Sequence, residues 1–283
     1  MSQEIEVSLE EEALKLHKEK RGKISVESKV ALKDSHDLSL AYTPGVAEPC
    51  RQILKNPDEI DTYTSRGNMV AVVSDGSAFL GLGNIGPYGA LPVMEGKAVL
   101  FKVFGGVDAF PICLDTQDPD EFVKAVRLLE PSFGGINLED IAAPKCFYIE
   151  RRLKEEMNIP IFHDDQHGTA VVVLAGIINA AKIVKKQLAD LKVVINGAGA
   201  AGVAVSKLLL KTGVADIIVC DRLGTIYHGR REHMNETKQE LAALTNQEKV
   251  KGGLADALKG RNVFIGVSAP NVVTRQMVAL MEP

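Results

Sequence analysis

Two pairs of acidic residues follow predicted strands in this sequence and could together hold a metal ion. Glu139 and Asp140 end the segment GGINLED, and Asp164 and Asp165 end the segment IPIFHDD. The carboxyl ends of parallel strands meet at one edge of an open sheet, where such sheets bind ligands. Four acids gathered there would repel one another without a cation, and oxygen ligands suit Mg²⁺ or Mn²⁺ better than zinc. Helix capping is the alternative, because aspartate is common just before a helix.

The second of these segments continues as HDDQH, in which His163 and His167 have the spacing of a zinc-binding helix with acids between them. The preceding IPIF favours a strand, and Gly168 follows at once. We therefore predict a strand-to-helix turn rather than a zinc helix, and we expect both histidines at packing or surface positions.

Lys97 lies in PVMEGKAVLFKVF, a mostly apolar stretch that is predicted to be helical. Burial lowers the pKa of a lysine, and a neutral amine can act as a base. A solvated lysine is the alternative. Tyr42 carries no chemical signal of its own, since most tyrosines only pack.

A glycine-rich turn predicts a dinucleotide site. Gly197, Gly199 and Gly202 form G-x-G-x-x-G between the apolar strand KVVIN and an apolar helix. The glycines allow the tight turn, the approach of the pyrophosphate and close helix packing. The first helical residues, Ala200 and Ala201, would offer free N–H groups to the phosphates. The alternative is a tight turn that binds no ligand.

The next strand, ADIIVC, ends at Asp221, about 20 residues past the last glycine, where an acid accepts hydrogen bonds from the adenosine ribose. This acid favours NAD, because a carboxylate repels a 2′-phosphate. Arg222 is adjacent and could pair with that phosphate, so NADP is also possible.

The elements that would position these residues alternate between strands and helices, which predicts an α/β fold with parallel sheets. Ser8 and Glu11 have capping-box spacing for a first helix to about Lys20. Asp75-Gly76 is a favoured pair for a two-residue hairpin turn within MVAVVSDGSAFLGLG. The later predicted strands are DAFPICLD, GGINLED, IPIFHDD, LKVVINGAGAAG, ADIIVCD and RNVFIGVSAP.

We expect two domains, residues 1–160 and residues 161–283, with the change near residues 161–169. The second domain would be a Rossmann-type, doubly wound parallel sheet that binds NAD(P). Only its first mononucleotide half is clear, so we expect this domain to be incomplete.

Composition restricts the class of protein. The net charge of -4 argues against a general affinity for nucleic acid. No apolar run is long enough to span a membrane, and the acidic N-terminus is unlike a signal peptide. Four cysteines without a CxxC pair favour free thiols in a reducing cytoplasm.

Together these segments resemble the bacterial malic enzymes. The matching strings run in order from about Ile24 onward, namely DLSLAYTPGVAEPC, VSDGSAFLGLGNIGPYGALPVMEGKAVLFKVFGGVDAFPI, INLEDIAAPKCFYIE, IFHDDQHGTAVV and NGAGAAGVAV. The resemblance implies an N-terminal malic-enzyme α/β domain, oxidative decarboxylation of malate with reduction of NAD(P), Mg²⁺ or Mn²⁺, and a homodimer.

The resemblance also implies roles for individual residues. Tyr42 would be the general acid that protonates the enol carbon, and Lys97 the general base for the C2 hydroxyl. Asp164 would support the lysine and the metal site. The implied metal ligands are Glu139, Asp140 and Asp165.

Three other functions stay open. A metal-dependent oxaloacetate decarboxylase on the same scaffold would omit net hydride transfer. An inactive chain would bind the dinucleotide without turnover. A zinc hydrolase built on HDDQH would need no nicotinamide.

Overall fold

The computed structural model describes residues 8–79 and 81–282. The outer ends of both predicted domains, residues 1–7 and Pro283, lie outside the described residues, as does Leu80 in the predicted hairpin. The chain folds into two compact units, Met1–Asp140 with Arg152–Ile161 and Ile141–Arg151 with Phe162–Pro283. The predicted mixed α/β fold with parallel sheets is confirmed.

The first unit begins with short helices that leave no residue between 8 and 68 buried. The predicted capping box is confirmed, because the Ser8 hydroxyl accepts a hydrogen bond from the Glu11 amide and Glu11 accepts one from the Ser8 amide. The helices are α1 (Leu9–Lys20), α2 (Ser35–Ala41), α3 (Ala47–Lys55) and α4 (Ile60–Tyr63), with 3-10 turns at Pro57–Glu59 and Arg66–Asn68.

A sheet with covering helices follows. Its elements are β1 (Met69–Ser74), α5 (Gly86–Gly105), β2 (Asp108–Cys113), α6 (Pro119–Arg127), a 3-10 turn (Glu130–Ser132), β3 (Gly135–Leu138), α7 (Lys145–Glu156) and β4 (Ile161–His163). The strand order is β2-β1-β3-β4, and β1 pairs in parallel with both β2 and β3. The core on the α5 side packs Val72 of β1 against Ala90 and Met94.

The predicted hairpin at Asp75-Gly76 is wrong. Gly76 does adopt the positive φ of a turn, at +67°. Both edges of β1 are already hydrogen-bonded to parallel neighbours, so no edge remains for an antiparallel partner. The chain after Gly76 instead forms a loop with one isolated bridge between Phe79 and Gly83.

The second unit contains the glycine-rich turn. Its further elements are a π-helical turn (Asp164–Gly168), α8 (Thr169–Ile183), a 3-10 turn (Leu188–Asp190), β5 (Lys192–Asn196), α9 (Ala200–Lys211), β6 (Asp216–Asp221), β7 (Gly224–Thr225), α10 (Glu236–Leu244), α11 (Leu254–Leu258), β8 (Val263–Gly266) and α12 (Arg275–Val278).

Strand β5 lies inside the second sheet, whose order is β7-β6-β5-β8. It pairs in parallel with β6 and β8, while the short β7 is antiparallel to β6. Fully buried side chains of β5 and β6, such as Val193 and Ile217, pack in one apolar cluster with α9. Within the described ranges, no helix is both long and apolar enough to cross a membrane.

Candidate active site

Glu139 and Asp140 directly follow β3 in the first unit. The chain leaves β1 toward β2 on one side and later returns to place β3 on the other, so the strand order reverses at this edge. Such a reversal opens a crevice beyond the carboxyl ends of the strands. Both acids are buried, at 6% and 7% exposure. Asp140 takes the left-handed backbone conformation, with φ +53°.

Lys97 lies beside the first of these acids. Ala90, Met94 and Ala98 are the buried residues of α5, spaced four apart, and so fix the face of the helix that packs inward. The Lys97 ammonium is 3.0 Å from Glu139 Oε1, and its side chain is 21% exposed. Asn137, on the same face of β3, donates a hydrogen bond of 3.0 Å to Glu139 Oε2. The structure thus brings the predicted base and a predicted metal ligand together within one unit.

Tyr42 lies on a different element from this pair. It forms the C-cap of α2, and 67% of it is exposed. Its hydroxyl makes no hydrogen bond with any described residue, including Lys97. Among the described residues, no hydrogen bond therefore connects Tyr42 to the lysine.

Asp164 and Asp165 open the π-helical turn between β4 and α8 and are half-buried. The predicted strand-to-helix turn is confirmed, and HDDQH is not a regular zinc-binding helix. Helix α8 takes Gly168 as its N-cap residue and has no side-chain cap. Capping of α8 therefore does not explain the two aspartates.

A network of hydrogen bonds surrounds this turn, and most of this network was not predicted from the sequence. The Gln166 amide nitrogen lies 3.0 Å from Glu150 Oε2 and 2.9 Å from His163 Nδ1. His167 Nε2 is 2.6 Å from Glu150 Oε1. Only the clustering of polar residues in HDDQH could have suggested such a network, since Glu150 comes from the distant α7.

His163 is completely buried within this network. Burial lowers the pKa of its imidazole below the ordinary value, although the nearby carboxylates of Asp165 and Glu150 act in the opposite direction. His163 lies at a buried packing position, as expected. His167 is half-buried and is bound to a carboxylate, a contact that the sequence did not predict.

The glycine-rich turn has the features that a bound pyrophosphate needs. Gly197 has φ +130°, and a Cβ there would approach the carbonyl oxygen of Val267. A Cβ on Gly202 would collide with the carbonyl oxygen of Gly197, so this glycine is required for the close approach of α9. A Cβ on Gly199 would meet no atom within 4 Å. The backbone at Gly199 therefore faces open space rather than protein.

Ala200 and Ala201 begin α9, whose N-cap residue Gly199 provides no side-chain cap. Their amide groups belong to the first turn, where N–H groups have no partner within the helix. The second sheet also reverses its strand order at β5, directly before this turn. A phosphate would be held by these amides and by the positive end of the helix dipole.

Asp221 ends β6, as predicted, but its carboxylate is already engaged. Arg230 donates two hydrogen bonds of 2.8 Å, Lys238 donates one of 2.6 Å, and the Leu223 amide donates one of 2.9 Å. Burial raises the pKa of this carboxyl, but the hydrogen bonds from Lys238, Leu223 and Arg230 outweigh burial and hold it below its ordinary value. A ribose would have to compete with these donors. This pairing could not be predicted from the sequence, because Arg230 and Lys238 lie beyond the strand.

Comparisons with known proteins place the chain in a family. The model of the malic enzyme N-terminal domain matches residues 21–154, and the model of the malic enzyme NAD binding domain matches residues 166–282. The chain is 59% identical over 275 residues to the bifunctional malic/malolactic enzyme of Bacillus subtilis (strain 168). This match covers 97% of the chain and 67% of that protein. It is 51% identical to the NADP-dependent malic enzyme of Escherichia coli (strain K12), over 92% of this chain and 34% of that protein.

A solved structure agrees with these matches. The crystal structure of the NAD-dependent malic enzyme from Thermotoga maritima superposes with a TM-score of 0.92 at 53% identity, covering 95% of this chain and 72% of that one. The chain therefore spans only part of the length of each of these proteins. Both family models and the fold agree, and the chain belongs to the malic enzyme family.

Proposed function

We propose that this chain oxidises and decarboxylates malate to pyruvate and CO₂ while it reduces a nicotinamide dinucleotide. Membership of the family supports the reaction class. The observation that carries the proposal is the 3.0 Å contact between Lys97 and Glu139, because it sets a candidate base beside a candidate metal ligand.

We further propose that Glu139, Asp140 and Asp165 bind Mg²⁺ or Mn²⁺. The donor set fits such an ion, since all three are carboxylates, the hard oxygen ligands that these cations prefer. Glu139 and Asp140 are also buried, and buried carboxylates are costly unless a cation or donors compensate them. When bound, the cation would acidify the C2 hydroxyl of malate and later polarise the C2 carbonyl.

The protein's own residues would move the protons. Lys97 accepts the hydroxyl proton while hydride leaves C2 for the nicotinamide, which gives oxaloacetate. Loss of the C4 carboxylate as CO₂ leaves an enolate, and Tyr42 donates a proton to its C3 to give pyruvate. Asp164 supports Lys97 and the metal site. Since Lys97 must be neutral to act as a base, its proton has to leave while Glu139 is held by another partner.

The dinucleotide would lie over Gly197, Gly199 and Gly202, with its pyrophosphate on the amides of Ala200 and Ala201. We propose NAD as the cofactor and Asp221 as its ribose contact, with NADP accepted as well. Acceptance of NADP is supported by the cations Arg230 and Lys238, which offset the charge that would repel a 2′-phosphate. Asp221→Ser should weaken NAD more than NADP, measured as the ratio of their KM values. An unchanged preference would remove Asp221 from the ribose site.

We propose a homodimer as the working form. The first unit exposes many large apolar side chains before residue 68, among them Leu14 (74%), Val26 (82%) and Leu54 (83%). Exposed apolar side chains in such number are typical of a protein that forms an interface. Light scattering on the full chain would give the mass directly, and a monomer at all concentrations would contradict the proposal.

We also propose a cytoplasmic location, which the four free cysteines support.

The test of the reaction is malate-dependent formation of reduced dinucleotide by the full chain with Mn²⁺. Lys97→Ala should abolish hydride transfer while titration calorimetry shows unchanged binding of NAD, because the glycine-rich turn lies elsewhere in the chain. Near-normal malate oxidation by Lys97→Ala would refute the role of the lysine.

The same assay separates the alternatives. Decarboxylation of oxaloacetate without reduction of NAD by malate would favour the decarboxylase. Binding of NAD without turnover of either substrate would favour an inactive chain, and tightly bound zinc after purification without chelator would favour a hydrolase.

A further inference from the structure

His163 is a buried histidine for which neither the reaction nor simple packing gives a complete account. Its side chain is 0% exposed, and its two ring nitrogens face different groups. Nδ1 lies 2.9 Å from the amide nitrogen of Gln166, while Nε2 lies 3.4 Å from Asp165 Oδ2. The ring therefore connects the π-helical turn to one of the proposed metal ligands.

The hydrogen bonds around Gln166 determine which ring nitrogen carries the proton. Glu150 is a carboxylate and can only accept, so the group of Gln166 that faces it at 3.0 Å has to be the amide nitrogen. That same nitrogen has a second hydrogen, which points to His163 Nδ1. Nδ1 is thus the acceptor, and in the neutral ring the proton lies on Nε2.

The Nε2 donor is buried but unsatisfied. It makes no hydrogen bond with the residues that the structure describes. Its distance of 3.4 Å to Asp165 Oδ2 exceeds the roughly 2.7–3.2 Å of a normal N–H···O bond. A buried donor without an acceptor is costly, and such groups in native proteins generally have a functional reason. A small movement of the Asp165 carboxylate would bring its Oδ2 within hydrogen-bonding distance of Nε2.

We propose that His163 is a positioning residue that holds the Asp165 carboxylate for metal binding, and that Gln166 and Glu150 fix its tautomer for this task. The inference rests on the metal site proposed above. Ligating carboxylates are generally hydrogen-bonded by an outer group, and loss of such a group weakens metal binding about 10–100-fold. The other carboxylate oxygen of Asp165 would face the cation, while the oxygen nearest His163 would accept the Nε2 hydrogen.

The experiment is a titration of the full chain with Mn²⁺ alone, in which the paramagnetic resonance signal of free Mn²⁺ reports binding without any turnover. His163→Leu removes both ring nitrogens at similar bulk, and we expect it to weaken Mn²⁺ binding about 10–100-fold. His163→Gln keeps a donor near the position of Nε2 and should restore most of the affinity. His167→Asn is the matched control, because it removes a bond to Glu150 on the same turn without touching His163, and it should bind Mn²⁺ like the unchanged protein.

Each outcome distinguishes this inference from the proposed function. If the unchanged chain does not bind Mn²⁺, the metal site itself fails and this inference falls with it. If the unchanged chain binds Mn²⁺ and His163→Leu binds equally well, the positioning role is wrong while the metal site stands. Equal weakening by His163→Leu and His163→Gln would reduce His163 to a packing role.

A variant outside the ring protects the test against misfolding. Gln166→Met removes the amide that selects the tautomer and leaves His163 in place. It should weaken Mn²⁺ binding several-fold with little change in the circular dichroism of the apoprotein. Unchanged Mn²⁺ affinity of a folded Gln166→Met would overturn the role of Gln166 in fixing the tautomer.

Discussion

Replacement of Lys97 by methionine tests the buried ion pair independently of turnover. Lys97→Met keeps the length and apolar stem of the side chain but removes the ammonium 3.0 Å from Glu139 Oε1. Glu139 then retains its charge in a position where only 8% of its side chain is exposed. Removal of one partner of a buried ion pair is strongly destabilising, because the remaining charge loses its compensation.

The size of this effect follows from the exposure of the two side chains. A fully buried pair costs about 3–5 kcal/mol when it is broken, and since Lys97 is 21% exposed we expect about 2–3 kcal/mol. The first unit has roughly 150 residues, and for a domain of that size 1 kcal/mol shifts the melting temperature by about 2–4 °C. The first unit of Lys97→Met should therefore melt about 5–10 °C lower in scanning calorimetry without metal. Added Mn²⁺ should recover much of this loss, because Glu139 then gains a new cation.

Lys102→Met is the matched control, since Lys102 lies on the same helix and pairs with Asp108 at 2.7 Å. Its side chain is 62% exposed and that of Asp108 is 28% exposed, so this surface pair contributes at most about 1 kcal/mol. Equal melting shifts for the two variants would show that Glu139 is not compensated by Lys97 in the way described.

Three further predictions concern the second unit and the thiols. Gly202→Ala should weaken NAD binding at least tenfold in titration calorimetry because the new Cβ collides with backbone, whereas Gly176→Ala in open space should leave it unchanged. Asp221 has a lowered pKa in the folded chain, so its stabilising contribution is present above about pH 3.9 and is lost as the pH falls through the folded value. In Asp221→Asn, the melting temperature should therefore depend less on pH in that range. Iodoacetamide at pH 8 should alkylate the exposed Cys50 but not Cys220, since burial raises the pKa of the Cys220 thiol to about 12, as mass spectrometry of the native protein would show.

The parts of the fold that follow from short-range rules could be predicted from the sequence. The capping box at Ser8, the strand before Gly197 and the helix after it depend on residues close together in the chain. The turn chemistry at Asp75-Gly76 was also local, and there the prediction failed. The pairing of β1 with β2 and β3 depends on strands far along the chain, and that pairing overrode the hairpin preference.

The candidate site shows the same division. Carboxylates at strand ends can be predicted from the sequence, because the pattern of apolar residues shows where each strand ends. The partners of Asp221 and of Gln166 cannot, since Arg230, Lys238 and Glu150 reach them from other elements. Only the folded structure shows that Asp221, the acid predicted to bind the ribose, already pairs with Arg230 and Lys238.

The hydrogen bonds of HDDQH also bear on which metals the chain would accept. Zinc binding through His163 Nε2 would require the ring to change tautomer and give up the bond from Gln166. Zinc binding through His167 Nε2 would require displacement of Glu150, which lies 2.6 Å away. His163 Nδ1 and His167 Nε2, nitrogens of the type that zinc binds, are therefore already hydrogen-bonded. The carboxylates of Asp164 and Asp165 lie in the same turn. We therefore expect the internal bonding of the turn to disfavour zinc, although its residue types alone are ones that bind that metal.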